Sequence, residues 1–297
     1  MAALPESHVR LHSGELSADI DPRGAQLSAL RDREGRDLLW NGDPAVWAGR
    51  APILFPIVGV LVGGTYHLGS KSYSLPRHGF ARNRMFSTES ADPTETVFRL
   101  SDDDETLRVY PFRFNLDMQF KLIGPTLSVT ASIHNRGDEI MPASFGFHPA
   151  FRWPLPYGQP RAAHFIEFAA DEPDPVRRLD AAGLLTSVHH PTPIVQRRLL
   201  LKDELFEGDA LILDRIRSRS VIYGAAAAPR LQVRFADAPF LGIWSKPGAH
   251  FICIEPWHGI SDAAGFSGDF RDKSGVELIA AGDSFSTTMA ISLLDEA

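Results

Sequence analysis

Between residues 114 and 133 the chain alternates apolar and polar side chains almost without a break. Phe114, Leu116, Met118, Phe120 and Leu122 are interleaved with Asn115, Asp117, Gln119 and Lys121. Gly124-Pro125 makes a turn, and Leu127, Val129, Ala131 and Ile133 resume the pattern around Ser128, Thr130 and Ser132. A period of two sends successive side chains to opposite faces of a strand, so this stretch reads as an antiparallel hairpin with one buried face. Leu231, Val233 and Phe235 repeat the pattern, as do Met289, Ile291 and Leu293, and Val97–Leu100 and Ala210–Leu213 read as further short strands. No long stretch carries apolar residues at helical spacing. Short helices are expected only at Pro44–Ala48 and around Lys202–Phe206, and residues 171–178 and 224–229 read as loops. Many short strands separated by turn residues indicate an all-β chain, a β-sandwich or barrel. No linker-like change of composition divides it, so residues 1–297 are expected to form one domain.

Composition narrows the function. The 22 prolines and 24 glycines in 297 residues, about 7% and 8%, exceed the usual ~5% and ~7% and suit a turn-rich β fold. Thirty Lys and Arg against 37 Asp and Glu leave a net charge of −7, which argues against a nucleic-acid partner. The lone cysteine, Cys253, rules out an intrachain disulfide and a multi-cysteine zinc site, and points to a reducing compartment such as the cytoplasm. The opening Met-Ala-Ala-Leu-Pro-Glu-Ser lacks the basic and apolar regions of a signal peptide, and no run approaches the ~18 apolar residues of a membrane span.

Three segments depart from alternation and surround titratable groups with aromatics, glycine and proline. The first comprises Trp47–Gly59 and Pro76–Arg84, the second Phe145–Leu155, and the third Phe251–Gly259 with Asp262 just beyond. His148 lies among Phe147, Pro149, Phe151 and Trp153, and Glu255 ends the apolar run Phe251-Ile-Cys-Ile254, where a carboxylate is costly unless hydrogen-bonded or at a cleft. Both precede proline, which biases them to extended backbone. Singly, His148 reads as a structural core histidine, Glu255 as a solvated strand end and His78 as a turn marker. Together they resemble a cleft in which aromatics stack on a sugar and fixed polar groups meet its hydroxyls. A serine-nucleophile elbow, a His-Glu-x-x-His metal motif, a P-loop and a Rossmann glycine pattern are all missing.

These segments resemble the aldose 1-epimerase (galactose mutarotase-like) family. The likeness is nearest to a bacterial subgroup carrying, in this order, Trp47–Gly59, Arg77-His-Gly-Phe80, Phe147-His-Pro-Ala-Phe151 and Ile254-Glu-Pro-Trp257, with Arg23–Leu27 similar to the family's first hairpin. The resemblance implies a large antiparallel β-sandwich with an open cleft across one sheet, and cofactor-independent interconversion of the α and β anomers of a free hexose. It implies Glu255 as catalytic base and His148 as catalytic acid. It further implies His78, Arg50 and Asp209 (with Asp214 the rival position) as substrate-binding residues, and Trp257 as a stacking candidate. No metal or cofactor is implied, and the expected partner is a small sugar, bound by a monomer or homodimer. Pro256-Trp257 and Gly79-Phe80 depart from the Gln and Gly-Gly of other mutarotases, which bears on the choice of sugar. Two other readings stay open: a hexose-6-phosphate 1-epimerase, with Arg77, Arg82 and Arg84 as a phosphate clamp, and a non-catalytic sugar-binding protein.

Overall fold

Two large antiparallel sheets face each other across an apolar core in the computed structural model, which describes residues 8–295. The opening seven residues, whose sequence lacks signal-peptide features, lie outside that range. One sheet has nine strands, with Phe114–Ile123 and Thr126–Asn135 near its middle and Ser284–Leu294 beside them. These two strands pair in the expected hairpin, Leu127 opposite Leu122 and Ile133 opposite Leu116, so the apolar half of each faces the core. The second sheet has eight strands, seven along its path and Ala150–Arg152 off it beside Phe251–His258, and the path includes Ile53–Leu54, Phe145–Phe147, Leu211–Leu213 and Phe240–Trp244 as well as Phe251–His258. A smaller three-stranded sheet, Val9–His12, Leu16–Asp21 and Gln26–Asp32, buries Leu11, Ile20 and Leu27 in the same core. The large sheets are tied directly, since the Tyr223 hydroxyl donates to the Arg152 carbonyl at 2.6 Å. No helix among the described residues is long and apolar enough to cross a membrane.

Several local expectations change. Pro44–Ala48 is a single turn rather than a helix: Val46 and Trp47 both donate to the Asp43 carbonyl and the Asp43 side chain takes the Ala45 N–H, after which the chain straightens. The one α-helix among the described residues is Asp104–Val109, which the apolar periodicity does not reveal because it is too short to show one. Its signal is local, a capping box in which Asp103 takes the Thr106 N–H while the Thr106 hydroxyl takes the Asp103 N–H. The loop expected over 171–178 gives way at Val176, where Val176–Leu179 joins the eight-stranded sheet. Near Lys202–Phe206 the expected short helix is the 3₁₀ turn Asp203–Phe206.

Candidate active site

The eight-stranded sheet has one face in the main core and one face free to build a site. Along Phe251–His258, Ile252 and Ile254 point into the main core, while Phe251, Cys253, Glu255 and Trp257 share the opposite face. The neighbouring strand follows suit, with Leu241 and Ile243 inward and Phe240, Gly242 and Trp244 outward. On that face lies a cavity of about 320 Å³ whose lining includes Glu255, His148, His78, Arg77, Asp209 and Trp257.

Strand register sets the central pair. Gly146 lies opposite Trp257, and Ala150 lies opposite Cys253. The same register carried through the gap puts His148 opposite Glu255, with Gly242 on the carboxyl's other flank. His148 Nε2 stands 3.2 Å from Glu255 Oε2. Trp47 stacks on the His148 imidazole, with ring centroids 5.1 Å apart, and Trp244 meets it edge-on at 5.9 Å. Enclosed in this way, both groups avoid charge. Burial lowers the His148 pKa to about 3, and burial pushes the Glu255 carboxyl well above the usual range, against the opposing pull of Arg77. Both shifts favour the uncharged forms, a neutral imidazole beside a protonated carboxyl.

Trp257 lies flat across the sheet. A Cβ at Gly146 would fall 2.6 Å from its Cδ1, and one at Gly242 would fall 2.2 Å from its Cη2, so glycine at both positions makes room for the indole. His78 adopts a left-handed backbone (φ 67°) and accepts the Gly59 N–H at Nδ1, 3.0 Å away. Arg77 Nε stands 3.3 Å from the other ring nitrogen, Nε2, so both nitrogens face N–H donors, and burial, then the neighbouring His148, holds the His78 pKa well below its ordinary value. The Gly59 loop is itself anchored. Lys273, almost fully buried, pairs with Asp262 at 2.7 Å and also donates to the Ile260 carbonyl, while Asp262 accepts the Val62 N–H and Ser261 Oγ accepts the Val60 N–H.

Five of the six residues expected in the cleft line this cavity: Glu255, His148, His78, Asp209 and Trp257. Arg50 is the exception. Its backbone N–H donates to Gln26 Oε1 and its guanidinium donates to the Ser28 carbonyl at 2.7 Å, so it fastens the first hairpin and stays outside the cavity lining. Asp214, the rival of Asp209, is held by Arg177 at 3.1 Å and also lies outside. Of the three arginines considered for a clamp, Arg77 and Arg82 reach the cavity, whereas Arg84 is drawn off by Asp103 and Glu105. Trp244 belongs to none of the sequence motifs; its signal is the alternation Phe240-x-Gly242-x-Trp244, which places it on the Glu255 face.

Buried unpartnered atoms concentrate here. Among the described residues, seven buried side-chain polar atoms lack a hydrogen-bond partner, and three of them belong to residues lining this cavity: Glu255 Oε2, His148 Nδ1 and Trp257 Nε1. Leaving such atoms unsatisfied costs ~1–3 kcal/mol each. His148, Cys253 and Glu255 also offer ligand atoms within 4.8 Å of one another. Burial, however, raises the Cys253 and Glu255 pKa values, and a cation would have to displace both protons.

A family model described as aldose 1-epimerase matches residues 7–271. Protein LacX (plasmid) of Lactococcus lactis subsp. lactis is 30% identical over 97% of this chain and 99% of its own length. A galactose mutarotase related enzyme from Lactobacillus acidophilus superposes with a TM-score of 0.88 at 29% identity, covering 98% of each chain. A galactose mutarotase-like protein from Lactobacillus casei gives a TM-score of 0.89 at 27% identity over 97% of this chain and 100% of its own.

Proposed function

Because the chain belongs to the aldose 1-epimerase family, we propose that it interconverts the α and β anomers of a free hexose by acid–base opening and reclosure of the sugar ring. Within the family, Arg77–Phe80, Phe147–Phe151 and Ile254–Trp257 support placement in the bacterial subgroup with these motifs. The observation that carries the functional reading is the His148–Glu255 pair, an imidazole and a carboxyl 3.2 Å apart on the floor of the cavity. Mutarotation removes the proton of the anomeric hydroxyl and supplies one to the ring oxygen. The open-chain aldehyde then turns about its first carbon–carbon bond, and the steps reverse on the other face.

A pair holding one proton always presents one acid and one base. The reaction needs the proton on His148 and a carboxylate at Glu255, and hydroxyls of the bound sugar that donate to Glu255 favour that arrangement. Glu255 then takes the proton of the anomeric hydroxyl and His148 delivers one to the ring oxygen. His78 and Arg77 meet a substrate oxygen together, Asp209 receives a hydroxyl, and Trp257 and Trp244 contact the apolar C–H faces of the ring. Polarimetry on freshly dissolved α-glucose and α-galactose is the test. Approach to equilibrium no faster than in buffer refutes the reading.

A second reading rests on Arg77 and Arg82. Both line the cavity, and among the described residues neither makes a salt bridge. Guanidinium groups suit phosphate oxygens, so a hexose 6-phosphate is the alternative substrate. Stronger competition by glucose 6-phosphate than by galactose against α-glucose turnover favours it.

A further inference from the structure

Behind the part of the cavity wall that carries Gly59 and Ser261 lies a buried ion pair. The side chains of Lys273 and Asp262 are 2% and 3% exposed and stand 2.7 Å apart, and neither lines the cavity itself. Resting on the anomerisation reading, we propose that they are a positioning pair for the reaction: they set residues 59–62 so that Gly59 holds the His78 imidazole toward the substrate.

Three observations lead there. The first is the route from the pair to the ring. Lys273 donates to the Ile260 carbonyl and to Asp262 Oδ1, so it grips the residues on both sides of Ser261. Asp262 gives its second oxygen to the Val62 N–H at 2.9 Å and donates its own N–H to the Val60 carbonyl at 2.9 Å, while Ser261 Oγ accepts the Val60 N–H at 3.2 Å. Gly59 is next along the chain, and it binds His78 twice. Its carbonyl takes the His78 N–H at 2.8 Å, and its N–H goes to His78 Nδ1 at 3.0 Å. The contacts from Lys273 to the imidazole are thus continuous, each step a hydrogen bond or a stretch of backbone.

The second is energetic. Desolvation offsets most of the attraction in a buried ion pair, and well-packed apolar residues of like volume often serve stability as well or better. Stability alone does not call for charge here, whereas a group that accepts from Lys273 and Val62 at once needs two oxygens, as Asp262 has. The third is location. The pair faces a separate cavity of about 180 Å³, with Leu61, Tyr66 and Phe270 also in its lining, so it reaches the reaction only through the shared wall of Gly59, Ser261 and His78. A shift of about 1 Å in a group that meets the substrate can cost ~10²-fold in rate, so slack in this wall is felt at the chemistry.

The test compares the full-length wild type with the double variant Lys273→Met/Asp262→Leu, in which apolar packing replaces the pair. Urea titration should show that the double variant recovers most of the stability that Lys273→Met loses. Its kcat/KM for anomerisation of the preferred monosaccharide should nevertheless stay at least about tenfold below the wild type. Amide hydrogen exchange reads the wall without turnover. The Gly59 and His78 amides should exchange at least about tenfold faster in the double variant, while those of the strand Phe114–Ile123 keep their protection. A third reading isolates the ring. In a His78→Asn background, which suits the left-handed backbone at that position, the double substitution should cost no further rate, because the pair acts through the imidazole. A wild-type rate in the double variant overturns the proposal, as does unchanged protection of Gly59, or a loss that adds in full to that of His78→Asn. If the double variant does not fold, Asp262→Asn takes its place. It keeps the shape but leaves one oxygen for two donors, and the rate, exchange and His78→Asn readings decide as before. A wild type that anomerises no sugar strikes the functional reading, and hydrogen exchange at Gly59 then decides whether the pair sets the wall.

Discussion

Replacing Glu255 with Gln keeps the shape of the protonated carboxyl but removes the transferable proton. Two consequences follow, and they are measured separately. Positioned proton transfer contributes ~10²–10⁴-fold, so anomerisation should slow by at least about 100-fold, about 2.7 kcal/mol of barrier. Stability should respond in the other direction. Burial raises the Glu255 pKa, so above about 4.5 the native state keeps a proton that the unfolded chain releases, and stability falls as pH rises. His148, lowered to about 3, acts oppositely: between about 3 and 6.5 the unfolded chain binds the extra proton, and stability is lost as pH falls. The two slopes cancel between about 4.5 and 6.5. Above that window the Glu255 slope stands alone, at up to ~1.4 kcal/mol per pH unit. Urea titrations of both proteins at pH 6.5 and 8.5 isolate it, because other groups drop out of the difference. The Glu255→Gln variant should gain stability on the wild type between those two pH values, the gain growing until pH passes the folded-state pKa of Glu255. Identical pH–stability profiles would refute the protonated carboxyl, and near-native polarimetric rates would refute the base.

Other substitutions probe the frame around this pair. His148→Asn should cost a similar ~10²-fold in polarimetric rate with the far-ultraviolet circular dichroism unchanged. Gly242→Ala forces a Cβ to within 2.2 Å of the Trp257 ring, so urea titration should show a loss of ~1–3 kcal/mol and the rate should fall with it. Lys273→Met strands Asp262 in the interior and should cost ~3–5 kcal/mol in the same assay, with most of that recovered by adding Asp262→Leu. Arg84→Ala removes surface ion pairs only and should change stability by less than ~1 kcal/mol and activity not at all.

Period two in the residues settled the fold class. The alternation of Phe114–Ile133 is a local property, and any strand carrying it must bury one face, so the paired sheets were legible in the order of side chains. The resemblance likewise named the histidines and carboxylates that the structure brings into one cavity. Contacts between residues far apart in sequence were not legible. Arg50 matches the cleft pattern, yet Gln26 and Ser28 claim its N–H and its guanidinium, and Arg84 pairs with Asp103 and Glu105. Likewise, the choice between Asp209 and Asp214 turned on Arg177, thirty-seven residues from Asp214 along the chain. Sequence alone determined which faces are apolar, because that depends on side-chain order along one strand. Only the tertiary structure decided which polar groups meet at the cavity and with what charge, because strand register and burial set both distance and solvation.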